Sequence, residues 1–140
     1  MLTSIPLPAT DDPVDAPFWA GTQRSELLIQ SCSGCGEMRF PPRPMCPTCQ
    51  SQSSAWKPVS GRGIIWSFAM PSPPLLPAFE EMLPYVVGLV ALEESPLLRI
   101  VGTTLIAPDV IAIGLPVKVA FRRYSDDVVL PCWVPGDNSV

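Results

Sequence analysis

Histidine is missing altogether from these 140 residues, which removes the commonest general base and every Ser-His or Cys-His nucleophile arrangement. A free-standing enzyme built from this chain would need carboxylates such as Glu80, Glu81, Asp126 or Asp127 as its base. Charge is sparse as well. Charged residues make up 16%, with thirteen acids against nine bases and a net charge of −4, a poor fit to a phosphate backbone that rewards clustered lysine and arginine. Long apolar runs are lacking too: residues 64–70 and 85–92 stop far short of the roughly twenty that span a bilayer. No basic segment followed by an apolar core opens the chain, so neither a secretory nor a transit signal is visible. The expected setting is cytoplasmic, with no membrane and no nucleic acid as partner, and there paired cysteines favour metal over disulfide.

Apolar side chains, by contrast, are plentiful. They make up 47% of the chain at a mean hydropathy of +0.29, more than a solitary domain of this size usually hides, and some of that surface is expected to meet a partner. Four of the five cysteines form two pairs, Cys32-Ser33-Gly34-Cys35 and Cys46-Pro47-Thr48-Cys49, ten residues apart. Two such hairpins facing each other can set four thiolates at the corners of a tetrahedron, the geometry and softness that Zn(II) accepts. Gly36 follows the first pair, where positive φ turns backbone N–H groups toward sulfur. A metal held by four thiolates has no open position for water or substrate, so the expected cofactor is structural Zn(II) on Cys32, Cys35, Cys46 and Cys49. Iron in the same cage would colour the protein. Cys132 stands apart beside Trp133 and reads as a core or interface thiol.

The pattern along the chain divides it into three. Residues 1–14 are proline-rich and read as a flexible arm. Residues 15–50 hold a short helix, capped by Asp15 with Pro17 in its first turn, and then the metal module, entered from Glu26 by alternation with Leu27 and Ile29 on one side. Residues 51–140 alternate with period two at 64–70, 85–92, 97–105, 117–121 and 128–133, with turn residues between, and so predict a small barrel of about five strands. Counting by twos sets Ile64, Trp66, Phe68 and Met70 on one face, with Trp66 and Phe68 filling the barrel. The proline-rich insertion 71–84 cannot be central strand and is a candidate lip over a binding site.

The order of these features resembles the DUF35 family, acyl-CoA-associated OB-fold proteins with a rubredoxin-like zinc ribbon. The residues that carry it are Pro17-Phe18-Trp19-Ala20-Gly21, Glu26-Leu27, Gln30-Ser31-Cys32, Arg39-Phe40-Pro41-Pro42-Arg43, Cys46-Pro47-Thr48-Cys49 and Ser60-Gly61-Arg62-Gly63. Pro84-Tyr85-Val86-Val87, Ile113-Gly114-Leu115-Pro116-Val117 and Leu130-Pro131 follow in the family's order. The resemblance implies a mainly β chain: a short N-terminal helix, a rubredoxin-like zinc ribbon and a C-terminal five-stranded OB-fold barrel. It also implies a non-catalytic accessory subunit of a thiolase-type acyl-CoA enzyme (thiolase, lipid-transfer-type aldolase or acyltransferase), in a hetero-oligomer with a thiolase-like catalytic subunit. Alternatives are a partner of an acyl-CoA hydratase, or an OB-fold nucleic-acid-binding module. Family members often carry a histidine after the first long barrel strand, where this chain reads Ser67-Phe68-Ala69-Met70-Pro71, and no role of that imidazole carries over.

With the family named, Arg39, Phe40, Pro41 and Arg43 become candidate contacts to a coenzyme A thioester bound jointly with the partner. The competing reading is that the two arginines balance the thiolate charge while Phe40, Pro41 and Pro42 pack ribbon on barrel. Arg62, Arg122 and Arg123 read as solvated barrel positions. Phe18 and Trp19 are candidates for core or for partner anchors.

Overall fold

The computed structural model describes residues 5–136. A two-turn helix, α1 (Ala16–Gln23), leads into β1 (Leu28–Cys32), β2 (Met38–Arg39) and β3 (Ser54–Pro58). These strands form one antiparallel sheet in the order β2-β1-β3. β1 is buried at every position, because it lies between two neighbours and is covered on both faces. The expected one-sided alternation of Leu27 and Ile29 is therefore absent: Leu27, Leu28 and Ile29 are 2%, 8% and 0% exposed.

The remaining strands are β4 (Arg62–Ala69), β5 (Val86–Leu92), β6 (Arg99–Thr104), β7 (Pro116–Arg123) and β8 (Val129–Pro135), with a single helical turn, α2 (Pro77–Glu80), in the proline-rich insertion. They close into a five-stranded barrel in the order β4-β5-β6-β8-β7, the small barrel expected from the spacing and the OB-fold arrangement that the resemblance implies. Closure leaves no free edge on these apolar strands. Gly61 makes the turn into the barrel: its φ is +78°, and a Cβ there would collide with Val119 Cγ1, so another residue would be both strained and obstructed.

One core serves both parts. Phe18, Leu27 and Ile29 from the helix and ribbon join Ile65, Val86, Val90, Ile100, Val117 and Trp133 from the barrel in a continuous apolar cluster. The filling of the barrel differs from the period-two count. Ile65 pairs with Val90, but Ser67 pairs with Leu89, so Trp66 is the extra residue of a β-bulge. A bulge shifts every later side chain to the opposite face. Phe68 accordingly lies opposite Gly88 and packs on the core, whereas Trp66 is 46% exposed. The tryptophan that fills the barrel is Trp133, fully buried.

Two further differences have local causes. Ser54–Pro58, which the sequence division groups with the segment leading to the barrel, pairs along its whole length with β1, from Leu28↔Pro58 to Cys32↔Ser54. Asp15 occupies the N-cap position of α1 but makes no side-chain cap. Its backbone is in the αR region rather than the extended region a cap uses, and the Asp15 and Ala16 N–H groups donate to Asp12 O instead. Of the expected arm, residues 1–4 lie outside the described residues. No helix among the described residues is long and apolar enough to cross a membrane.

Candidate metal centre and adjoining groove

The two cysteine pairs fold into the same knuckle twice. In the first, Cys32 N–H donates to Glu37 O and Gly36 N–H donates to Cys32 O, both at 2.9 Å. In the second, Cys46 N–H donates to Ser51 O at 2.9 Å and Gln50 N–H to Cys46 O at 3.0 Å. Gly36 and Gln50, each directly after its pair, have φ of +79° and +63°. The positive φ expected at Gly36 is present; Gln50 adopts it without being glycine, and only the symmetry of the two knuckles could have signalled that. The Thr48 hydroxyl donates to the Glu37 carboxylate and ties one knuckle to the other.

All four sulfurs lie within 4.8 Å of one another, with Cys32 Sγ 3.5 Å from Cys49 Sγ and Cys35 Sγ 3.7 Å from Cys46 Sγ. A zinc–sulfur bond of about 2.3 Å in tetrahedral geometry puts sulfurs about 3.8 Å apart. These separations fit that cage and are far too long for the roughly 2.0 Å of a disulfide. Backbone N–H groups of Gly34 and Cys35 point at Cys32 Sγ at 3.3 and 3.5 Å, as donors around a thiolate–metal cluster do.

Electrostatics ask for a cation in the same place. The Cys35 N–H, helped by the Gly34 N–H and against burial, holds Cys32 down to about 6. Cys46 is lowered by the Cys49 and Thr48 N–H groups. Cys35 receives the Glu37 N–H, yet burial and the three adjoining sulfurs push it up to about 12. Four thiols this close cannot all ionise without a positive charge between them, and a divalent metal supplies it. The donor set, the spacing and the aimed N–H groups all fit Zn(II).

The loop between the knuckles is fixed by a polar lattice. Gln30 Nε2 donates to Arg43 O and to Ser54 Oγ, Arg43 N–H donates to Gln30 Oε1, and Arg39 Nη2 donates to Arg43 O at 3.0 Å. Arg39 is 7% exposed and turned inward, with Nε and Nη1 unpartnered. Phe40 packs on Phe18 with ring centroids 5.5 Å apart, and Phe18 meets Trp19 edge-on at 5.0 Å.

Beside this loop runs a groove of about 370 Å³ between helix, ribbon and barrel. Its walls are mainly apolar: Trp19, Phe40, Pro41 and Pro42 on one side, Val101 and Pro131 on the other, with Phe79 and Met82 from the proline-rich insertion. Of the four candidate coenzyme A contacts, Phe40 and Pro41 are thus together in one wall. Arg39 and Arg43 are not among its lining residues. Phe79 and Met82 belong to the insertion 71–84 read as a candidate lip over a binding site; sequence reading did not single out Asp15 or Tyr124 for the groove, which come from separate segments that only the fold joins. Asp15 Oδ1 and Trp19 Nε1, one helical turn apart, are buried there without partners.

Comparison with known proteins agrees with this architecture. Residues 19–54 match the family described as ChsH2, rubredoxin-like zinc ribbon domain, and residues 56–122 match ChsH2, C-terminal OB-fold domain. A probable enoyl-CoA hydratase alpha subunit from Thermomonospora curvata is 40% identical over 125 residues, 86% of this chain but 37% of that protein. The chain therefore spans little more than a third of that relative. A DUF35 domain-containing scaffold protein from Methanocaldococcus jannaschii is 32% identical over 108 residues, covering 75% of this chain and 74% of the relative. Among solved structures, a chain of the Ltp2-ChsH2(DUF35) aldolase superposes with a TM-score of 0.82 at 34% identity, over 91% of this chain and 98% of that one. With a four-cysteine ribbon joined to a five-stranded OB barrel, and matches spanning both, the chain belongs to the DUF35 family.

Proposed function

We infer that this protein is a non-catalytic accessory subunit of a thiolase-type acyl-CoA enzyme, working in the cytoplasm. It stabilises its catalytic partner and completes one wall of the acyl-CoA site. The observation that carries this reading is the near-complete superposition on the DUF35 chain of an aldolase. The absence of histidine supports the same division of labour, because carbon–carbon bond making or breaking at a thioester needs acid–base groups that the partner would bring.

Each part then has a task. Cys32, Cys35, Cys46 and Cys49 hold Zn(II), which supplies a rigid structural clip and no open coordination position. Gln30 anchors Arg43 through the backbone and so keeps Phe40, Pro41 and Pro42 against the groove. Ligand pockets run from about 300 to 1,000 Å³, so a 370 Å³ groove takes one apolar arm of an acyl-CoA and leaves the rest to the partner. Phe40 and Pro41 form that wall; Arg39 is buried and held inward on Arg43 O, whereas the exposed Arg43 side chain lies outside the groove and is free to meet a coenzyme A phosphate.

Co-expression with a thiolase-fold catalytic subunit tests the proposal. A stable complex on size exclusion, with the partner inactive or insoluble alone, is the expected result; a fully active partner that never co-elutes would refute it. The second reading, a hydratase partner, is favoured by the similarity to a hydratase alpha subunit, and the same experiment with a hydratase subunit decides between them.

A further inference from the structure

The bulge at Trp66 builds a surface that the barrel core does not need. Strands β4, β5 and β6 pair side by side, and their registers put Ile64, Ala91 and Arg99 in one cross-strand row and Ser67, Leu89 and Val101 in the next row on that face. Trp66 stands between the rows as the inserted residue. Ile64, Trp66 and Val101 are 46%, 46% and 59% exposed. Isolated apolar residues on a surface need no explanation, but a contiguous set across three adjacent strands does. Bulges are common at functional positions, and this one keeps Ser67 on the outer face beside Trp66, the largest side chain of β4, before Phe68 returns to the core.

Charge narrows what can cover the face. The Arg99 guanidinium lies 3.8 Å over the Trp66 ring, and its Nε donates to Pro96 O. It has no carboxylate: the one ion pair among the described residues is Arg24–Glu26. None of the three strands contains an aspartate or glutamate. A second copy docked through the same face would bring another Arg99 and no acid from these strands, leaving guanidinium groups desolvated without counter-charge. A different chain with a carboxylate set among apolar side chains satisfies both the apolar rows and the cation. Tryptophan and arginine are also the residue types that dominate interface energetics.

We propose that the β4-β5-β6 face, centred on the Trp66–Arg99 stack, is the docking surface for the catalytic subunit, which presents an apolar patch carrying a carboxylate to Arg99. The proposal rests on the accessory-subunit reading and extends it to named residues. Val101 lies on this face and also lines the groove beside Phe40, so a partner seated here reaches the groove without a gap.

The test measures binding of the co-expressed catalytic subunit to purified wild-type, Trp66→Ala, Arg99→Glu and the remote control Lys57→Glu, each checked for zinc content and thermal midpoint. Trp66→Ala and Arg99→Glu are expected to weaken binding by roughly 30-fold or more, with wild-type zinc content and midpoint, while Lys57→Glu binds normally. Unchanged affinity in both variants, in a partner that binds the wild type, overturns the surface and leaves the function standing. No wild-type complex overturns both. A wild-type homodimer in sedimentation that Trp66→Ala dissociates assigns the face to a second copy and overturns the proposal.

Discussion

Cys46 and Cys132 illustrate how the same side chain is made into a ligand or into core. Cys46 is surrounded by N–H donors that favour the thiolate, so Cys46→Ser is expected to take bound zinc from one per chain to near zero. Because metal binding to such sites is folding free energy, the thermal midpoint should fall by roughly 10 °C or more; elemental analysis and a melting curve check both. Cys132 is 5% exposed and lies in β8, where burial raises its thiol against the modest opposing effect of Arg122. It should resist an aromatic disulfide reagent in the native state and react only after denaturation. The sign for stability follows: the unfolded thiol ionises near its ordinary value, about 8.5, before the folded one does. The stability that Cys132 contributes is therefore intact below that pH and lost as pH rises toward the folded value. A Cys132→Ala variant should flatten this alkaline decline. Loss of zinc from Cys46→Ser without any change in melting would show that the metal is not a clip.

Strand β4 shows what the sequence displays and what it conceals. All five barrel strands were legible, because period-two alternation bounded by glycine and proline is a direct imprint of a half-buried strand. The cysteine knuckles were legible for the same reason: ligand chemistry fixes their spacing. The bulge was not, since inserting one residue changes no composition and only reverses which side chains point inward. Nor was the pairing of Ser54–Pro58 with β1, a long-range choice between two sheets that a local pattern does not encode. The stability contrast across the bulge is a direct check. Ile65 is 0% exposed, and Ile65→Ala should cost about 2–5 kcal/mol in urea unfolding. Trp66→Ala, half exposed and stacked only on Arg99, should cost less than about 1 kcal/mol. The reverse order would mean that Trp66, not Ile65, fills the barrel. The groove was legible in part: Phe40 and Pro41 come from a recognisable motif, whereas Phe79 and Met82 reach it from an insertion whose path no periodicity dictates.

At the scale of the molecule, a cysteine clip and a barrel share one core and carry two apolar features, a groove and a sheet face, which the proposed role sets against a partner. The metal sets the loop that walls the groove, so chelating zinc from an assembled complex should release the chain along with the metal, read as loss of co-elution. The central claim is that the chemistry belongs to that partner. Acyl-CoA turnover, measured for the catalytic subunit alone, for this chain alone and for mixtures titrated between them, tests it most directly. The expected result is no turnover by this chain, little by the partner alone, and activity that rises to a plateau at a fixed ratio of the two. Turnover by this chain alone, or a partner equally active without it, would contradict the account.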